Sequence, residues 1–240
     1  MMMAGDLNKK YVLATTRPWN EAMAERLTAR TGCDFVLISS KEDLTLENLA
    51  PIHPEIIFFP HWSYRIDPRI FGRFKSVIFH MTDLPFGRGG SPLQNLIVRG
   101  IYETKISALR CVEEVDGGPI YLKRPLSLYG SAEEIFLRAS GIIEEMIVEI
   151  LERNPKPVPQ QGEPTPFKRR RPEESNLASA SSLDQLFDMI RMLDAEGYPN
   201  AFLEFGPFRL EFTRAALKED QVIADVRIKL SKNAKERDRS

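Results

Sequence analysis

Four short apolar runs, each followed by a turn or a helix-patterned stretch, constrain this chain more than any other feature. "KYVLATT" (10–16), "CDFVLIS" (33–39), "EIIFFP" (55–60) and "KSVIFHM" (75–81) are nearly continuous in apolar and β-branched residues. That is the pattern of strands buried on both faces of a parallel sheet. Between the first two runs, residues 17–31 place Trp19, Met23, Leu27 and Arg30 at steps of three or four, and Gly32 follows as a stop. Residues 44–50 read as a short helix with Thr45 as its N-cap. This alternation predicts a doubly wound, Rossmann-like α/β sheet with parallel strands. In such sheets ligands bind beyond the carboxyl ends of the strands.

The rest of the chain divides by composition. Residues 91–100 read as a helix, with Pro92 in its first turn and Gly100 at its end. Residues 104–112 and 119–128 alternate like the strands of a hairpin, and 131–153 form a long amphipathic helix opened by a Ser131/Glu134 capping box. "NPKPVPQQGEPTPFKRRRPEESN" (154–176) carries six prolines and many charges, which predicts an extended linker over 154–181. Its basic run, "KRRR", meets acids at once and reads as a solvated face. Residues 182–197 have helical spacing, and "AFLEFG", "FRLEFTRA" and "QVIADVRIKL" read as three strands. The expected organisation is a catalytic domain over 1–153, the linker, and a small C-terminal α+β unit over 182–240. That unit is too short to hold a large core alone and is expected to pack on the first domain. The last ten residues are expected to fray.

Several functions are disfavoured. Thirty-three basic residues against 34 acidic ones give a net charge of −1, which weakens a nucleic-acid reading. The two cysteines, Cys33 and Cys111, lie far apart and show no metal-ligand spacing, so no metal is expected and both are read as reduced and structural. No run reaches the roughly eighteen apolar residues of a membrane span, and the first residues lack the apolar core of a signal peptide, so the expected location is cytoplasmic. There is no P-loop and no G-x-G-x-x-G after the first strand.

The stretch "FHMTDLPFGRGG" (79–90) is the candidate site. His80 ends the fourth apolar run, where a ligand would sit. By itself it either caps a strand or handles protons. The sequence from His80 to Gly89 fits H-x-[S/T]-x-L-P-x-x-x-G, and "VDGGPI" (115–120) places Asp116 36 residues further on. The two motifs, in this order and spacing, resemble the signature of the folate-dependent formyltransferases over residues 10 to about 150. Thr82 stands where most members carry Ser. The chain is similar above all to sugar-nucleotide N-formyltransferases of pseudaminic-acid-type pathways, with "IRMLDAEGYPNAFLEFGPFRLEF" resembling their C-terminal end. tRNA-formylating members are typically longer, with a basic C-terminal barrel.

The resemblance implies transfer of a formyl group from N10-formyltetrahydrofolate to a primary amine, with His80 and Asp116 catalytic. The expected acceptor is a small-molecule nucleotide-linked (UDP) 4-amino-4,6-dideoxy sugar, with no nucleic acid and no membrane as partner and a homodimer as a possible assembly. The alternatives are a tRNA- or carrier-bound amine, or a non-catalytic folate- or nucleotide-binding relative. The implied folate pocket comprises His61, Trp62, Tyr64, Arg65 and Ile66; Leu84, Pro85 and Arg88; and Val112, Glu113, Glu114 and Val115. Trp62 and Tyr64 are equally readable as packing residues, Arg88 as a surface charge, and His53 as structural. One departure stands out. Ile78 occupies the place where the family carries an oxyanion-stabilising Asn, and an aliphatic chain donates no hydrogen bond. The substitute is protonated His80, a backbone N–H, a water or Asn95.

Overall fold

The computed structural model describes residues 9–231. The expectations for residues 1–8 and 232–240 lie outside the described residues. The chain forms two compact units. One comprises residues up to Gly89, Thr104–Leu126 and Leu137–Pro166; the other comprises Gly90–Glu103, Ser127–Phe136 and residues from Phe167 onward.

The first unit is built on a sheet of β1 (Lys10–Ala14), β2 (Asp34–Ile38), β3 (Ile56–Phe59) and β4 (Ser76–His80). A short strand, β5 (Phe86–Gly89), lies outside that sheet, which is completed by β6 (Glu103–Arg110) and β7 (Ile120–Ser127). The order is β2-β1-β3-β4-β6-β7. The first four strands are parallel, with Val12 opposite Val36 and Ile57, and Phe59 opposite Ile78. β6 then runs antiparallel to β4 and sets Ser107 opposite His80. The sheet is therefore mixed rather than parallel throughout. Between β4 and β6 the chain forms only β5 and a short helix over residues 92–97, and β6 enters from the opposite end.

Local signals explain the helices. α1 (Met23–Thr31) stops at Gly32, which takes the left-handed conformation at φ 69°. α2 (Leu46–Ile52) is capped by Thr45, whose hydroxyl accepts from the Asn48 N–H at 3.2 Å. It ends at His53, whose backbone adopts φ 50° and whose N–H returns to the Leu49 carbonyl. That is a backbone role, in line with the structural reading of this histidine. α3 (Pro68–Arg73) was not expected from the sequence; Asp67 caps it, accepting from the Arg69 N–H at 2.9 Å. α4 (Pro92–Ile97) and α5 (Ala132–Arg153) match expectation, and Ser131 and Glu134 make both bonds of the capping box.

Strand alternation sorts the core into two faces. On one, Val12, Ala14, Ile57 and Phe59 pack with Leu49 of α2 and Ile70 of α3, joined by half-buried Trp62 and Ile78. On the other, Tyr11, Phe35, Phe58 and Phe79 form a continuous aromatic row, with centroids 5.2 to 6.4 Å apart. Each such side chain contributes about 1.5–3 kcal/mol on burial. α1 and α5 are tied by Glu144, which accepts from Arg26 and Arg30 at 2.8 and 3.1 Å.

The proline-rich stretch is anchored. Val158 and Ile120 exchange backbone hydrogen bonds, and β8 (Thr165–Phe167) pairs with β5. In the second unit, α6 (Leu183–Arg191) precedes β9 (Ala201–Phe205), β10 (Phe208–Leu217) and β11 (Val222–Leu230), an antiparallel sheet in the order β11-β10-β9. The helix expected over 182–197 ends at Arg191, because Asp194 is drawn into bonds with the Glu133 and Arg214 N–H groups. Arg191, almost fully buried, donates to Asp188 and to the carbonyls of Leu128 and Gly130. No helix among the described residues is long and apolar enough to cross a membrane.

Candidate active site

β4 delivers His80 to its carboxyl end, where the imidazole is buried. Nε2 lies 2.7 Å from the Gly87 carbonyl oxygen. A carbonyl only accepts, so Nε2 carries a proton and donates it to that bond. Nδ1 faces Oδ2 of Asp116 at 3.5 Å. The same carboxylate oxygen accepts from the Gly89 N–H at 2.9 Å. Residues 36 apart in sequence thus meet across β5, whose Gly87 and Gly89 adopt φ 80° and 108°, a backbone that side-chain-bearing residues rarely take.

The loop carrying Asp116 is braced from an unexpected place. Gln160, in the proline-rich stretch, donates through Nε2 to the carbonyls of Asp116 and Gly118 at 2.7 and 2.9 Å. Its Oε1 accepts from Arg88, which also donates to Glu114 at 2.6 Å. Arg88 is thereby committed to neighbours within the protein. Gln160 gave no sequence signal, since it sits among prolines and charges that read as linker.

The remaining expected pocket residues fall into three groups. Leu84 is buried; its N–H donates to the Ser107 hydroxyl and its carbonyl accepts from Lys123. Lys123 and Lys105 both bond Asp83, and although burial alone would raise its carboxyl pKa, they hold it below its usual value. Pro85 accepts from the Thr165 N–H. Val112 is half-buried, whereas Glu113, Glu114 and Val115 are exposed. After β3, Trp62 packs edge-on against Phe59 and Tyr64, Ile66 is buried, and Tyr64 and Arg65 are exposed. The Trp62 indole N–H is shielded from water and has no acceptor among the described residues.

His61 adopts φ 51° and stands edge-on to Trp19. Burial, reinforced by the Arg17 guanidinium, lowers its pKa from 6.5 to about 4. The unfolded chain therefore takes up this proton at higher pH than the folded one. The stability this produces is complete above the unfolded value and falls as pH drops towards 4, by about 3 kcal/mol in all. Chemical denaturation across that window should show a shallower acid loss for His61→Gln than for the parent; parallel curves would remove His61 from the response.

One candidate is excluded by its bonds, and a nearby thiol by its burial. Asn95 donates its amide N–H groups to the carbonyls of Gly90, Ser91 and Lys168, so it is not a spare oxyanion donor. Burial pushes the Cys111 thiol up to about 12, with the Asp116 carboxylate adding to the rise. Cys111 is no nucleophile at neutral pH. Among the described residues no group of three or more His, Cys, Asp or Glu side chains is arranged to hold a metal ion.

An imidazole set between a carboxylate and a carbonyl lies at the carboxyl end of a Rossmann-like α/β sheet, the place where such sheets bind ligands. The comparisons are more specific. The structure of a methionyl-tRNA formyltransferase from Clostridium thermocellum is 50% identical, with a TM-score of 0.90, over 93% of this chain and all of that one. A model of the methionyl-tRNA formyltransferase C-terminal domain matches residues 172–229. The methionyl-tRNA formyltransferase of Thermotoga maritima is 28% identical over 120 residues, 48% of this chain and 38% of the relative. A sugar N-formyltransferase from a Shewanella species, 12% identical with a TM-score of 0.66 over 88% of this chain and 98% of that one, shares the fold. The chain belongs to the formyltransferase family. It spans about two fifths of the length of the curated relatives it matches (38%).

Two expectations are overturned by these matches. The sugar-nucleotide reading fails, because the relatives with substantial identity are named methionyl-tRNA formyltransferases. The expectation of a small-molecule acceptor without nucleic acid fails with it. It leaned on a net charge of −1, and a chain-wide sum does not report how charge is distributed over a surface.

Proposed function

We propose that this protein is a folate-dependent N-formyltransferase that acts on a tRNA-borne amine, the methionyl group of charged initiator-type tRNA. The observation that carries the reading is the 50% identity to the Clostridium thermocellum methionyl-tRNA formyltransferase along its whole length, together with the His80–Asp116 pair. N10-formyltetrahydrofolate supplies the one-carbon group. The residues fit its flat heterocycle: the unpaired indole N–H of Trp62 lies in the same apolar cluster as Ile66 and Ile78.

The chain's own part is proton handling. The Gly87 carbonyl fixes one ring proton on Nε2, which leaves Nδ1 as the nitrogen that exchanges a proton. As the amine nitrogen bonds to the formyl carbon, Nδ1 takes the proton the nitrogen sheds. The bond from that carbon to N10 breaks, and the proton is returned to N10. Asp116 stabilises the cationic ring between these events. The same cation supports the negative charge that develops on the formyl oxygen, a role that Ile78 and Asn95 do not fill. Transfer of labelled formyl from the donor to methionyl-tRNA, with a UDP-amino sugar as the parallel acceptor, tests the reading. Product on the tRNA alone is expected, and product on the sugar alone would refute it.

Ile78 gives a second test. Like Trp62, it packs against an apolar core cluster, where an unpaired amide costs about 1–3 kcal/mol. Ile78→Asn is expected to lower stability by that amount with no gain in transfer. A rise in turnover at unchanged stability would show that the site still accommodates the donor.

A further inference from the structure

A cleft of about 400 Å³ opens in the first unit away from His80. Lys75, on its wall, directly precedes β4, and His80 ends that strand. At the rise of an extended chain they lie about 16 Å apart. Phe71, Phe74 and Tyr121 line the cleft, and Arg73, Lys75, Arg110 and Lys156 supply charge. None of these four cations has a carboxylate within ion-pair distance among the described residues.

The arrangement is electrostatically incomplete. Lys75 is partly buried, and its ammonium lies 5.3 Å from the ring centre of Tyr121. Burial lowers its pKa and the charge of Arg110 lowers it further, against a smaller pull from Glu55. Two cations held close enough to repel, neither in ion-pair contact with a carboxylate among the described residues, are stabilised by a bound anion. The volume is that of a small-molecule pocket, well beyond what a bare oxyanion fills. Phe74 and Tyr121 are buried behind Arg73 and Lys75, and half-buried Phe71 offers aromatic surface to a planar ring.

We propose that this cleft binds a nucleoside phosphate, with Lys75 and Arg110 on the phosphate and the base against Phe71. The nucleotide is either free or part of an RNA strand. The site uses neither His80 nor Asp116 and is independent of the transfer reaction.

Calorimetric titration of the full chain with AMP, GMP, inorganic phosphate and a short single-stranded RNA tests it. AMP and GMP are expected to bind with Kd below about 1 mM, and inorganic phosphate at least about tenfold more weakly. The Lys75→Met/Arg110→Met double variant is expected to lose at least about tenfold in nucleotide affinity. Lys156→Gln, at an exposed position, should weaken binding severalfold and serves if the double variant does not fold. RNA binding tighter than AMP assigns the strand as the source; equal affinity assigns the free nucleotide. No binding of any probe, phosphate binding as tightly as AMP, or unchanged affinity in the variants would overturn the proposal. Because binding is read without a transfer assay, its failure is distinct from failure of the proposed enzyme activity.

Discussion

Replacing His80 by alanine is expected to reduce formyl transfer by about 10²–10⁴, the usual worth of a positioned proton acceptor. Folding should survive. The variant loses one hydrogen bond, from Nε2 to the Gly87 carbonyl, a loss of about 1 kcal/mol. Asp116→Asn separates charge from shape. The amide keeps the volume of the carboxylate but no longer stabilises a cationic ring, so transfer should fall while thermal unfolding stays within a few degrees. Single-turnover measurements with saturating donor and acceptor read the chemical step directly. Near-parental rates in either variant would take the pair out of the mechanism.

Gly118→Ala is expected to be strongly damaging. A Cβ on this residue would lie 1.8 Å from the Arg110 carbonyl oxygen and 2.9 Å from its carbon. Both are backbone atoms at the end of β6, so no rotamer change relieves the clash and the loop itself must move. Asp116, two residues earlier, moves with it. Overpacking of this kind costs about 1–3 kcal/mol or more, and a displacement of about 1 Å at a reacting pair costs about 10²-fold in rate. Gly141→Ala is the control, since a Cβ there meets nothing within 4 Å and the residue sits inside α5. There alanine should raise stability by about 0.5–1 kcal/mol. Unfolding curves and transfer rates for both variants measure the contrast. Equal behaviour would show that the loop around Asp116 is free to adjust.

Much of the first unit was legible because its signals are local. Continuous apolar runs marked β1 to β4, Gly32 and Thr45 marked helix ends, and Ser131 with Glu134 marked the start of α5. What escaped depends on geometry that sequence periodicity does not encode. β5 is half glycine and holds its shape through positive φ angles rather than strand propensity. α3 is six residues long, too short for a helical period to show. The direction of β6 follows from how the chain returns to the sheet, not from its own residues. In the site, His80 and Asp116 were singled out by the resemblance of their motifs to the formyltransferase signature, and the fold brings the two side chains together. Gln160 was not, because a brace that acts by bonding backbone carbonyls requires only an amide in the right place. The acceptor was misassigned for a related reason. Both kinds of enzyme need the same proton chemistry, so residues around His80 do not distinguish their substrates.

The bonds from Val158 to Ile120 and from Gln160 to the Asp116 loop bear on how this chain can be cut. The stretch that looks most dispensable, rich in proline and without a long element of its own, works as a splint. A truncated version stopping after α5 would keep every strand of the main sheet and both His80 and Asp116. It would nevertheless release the turn on which one of them is mounted. Trimming at that apparent border removes a fastening, not an appendage.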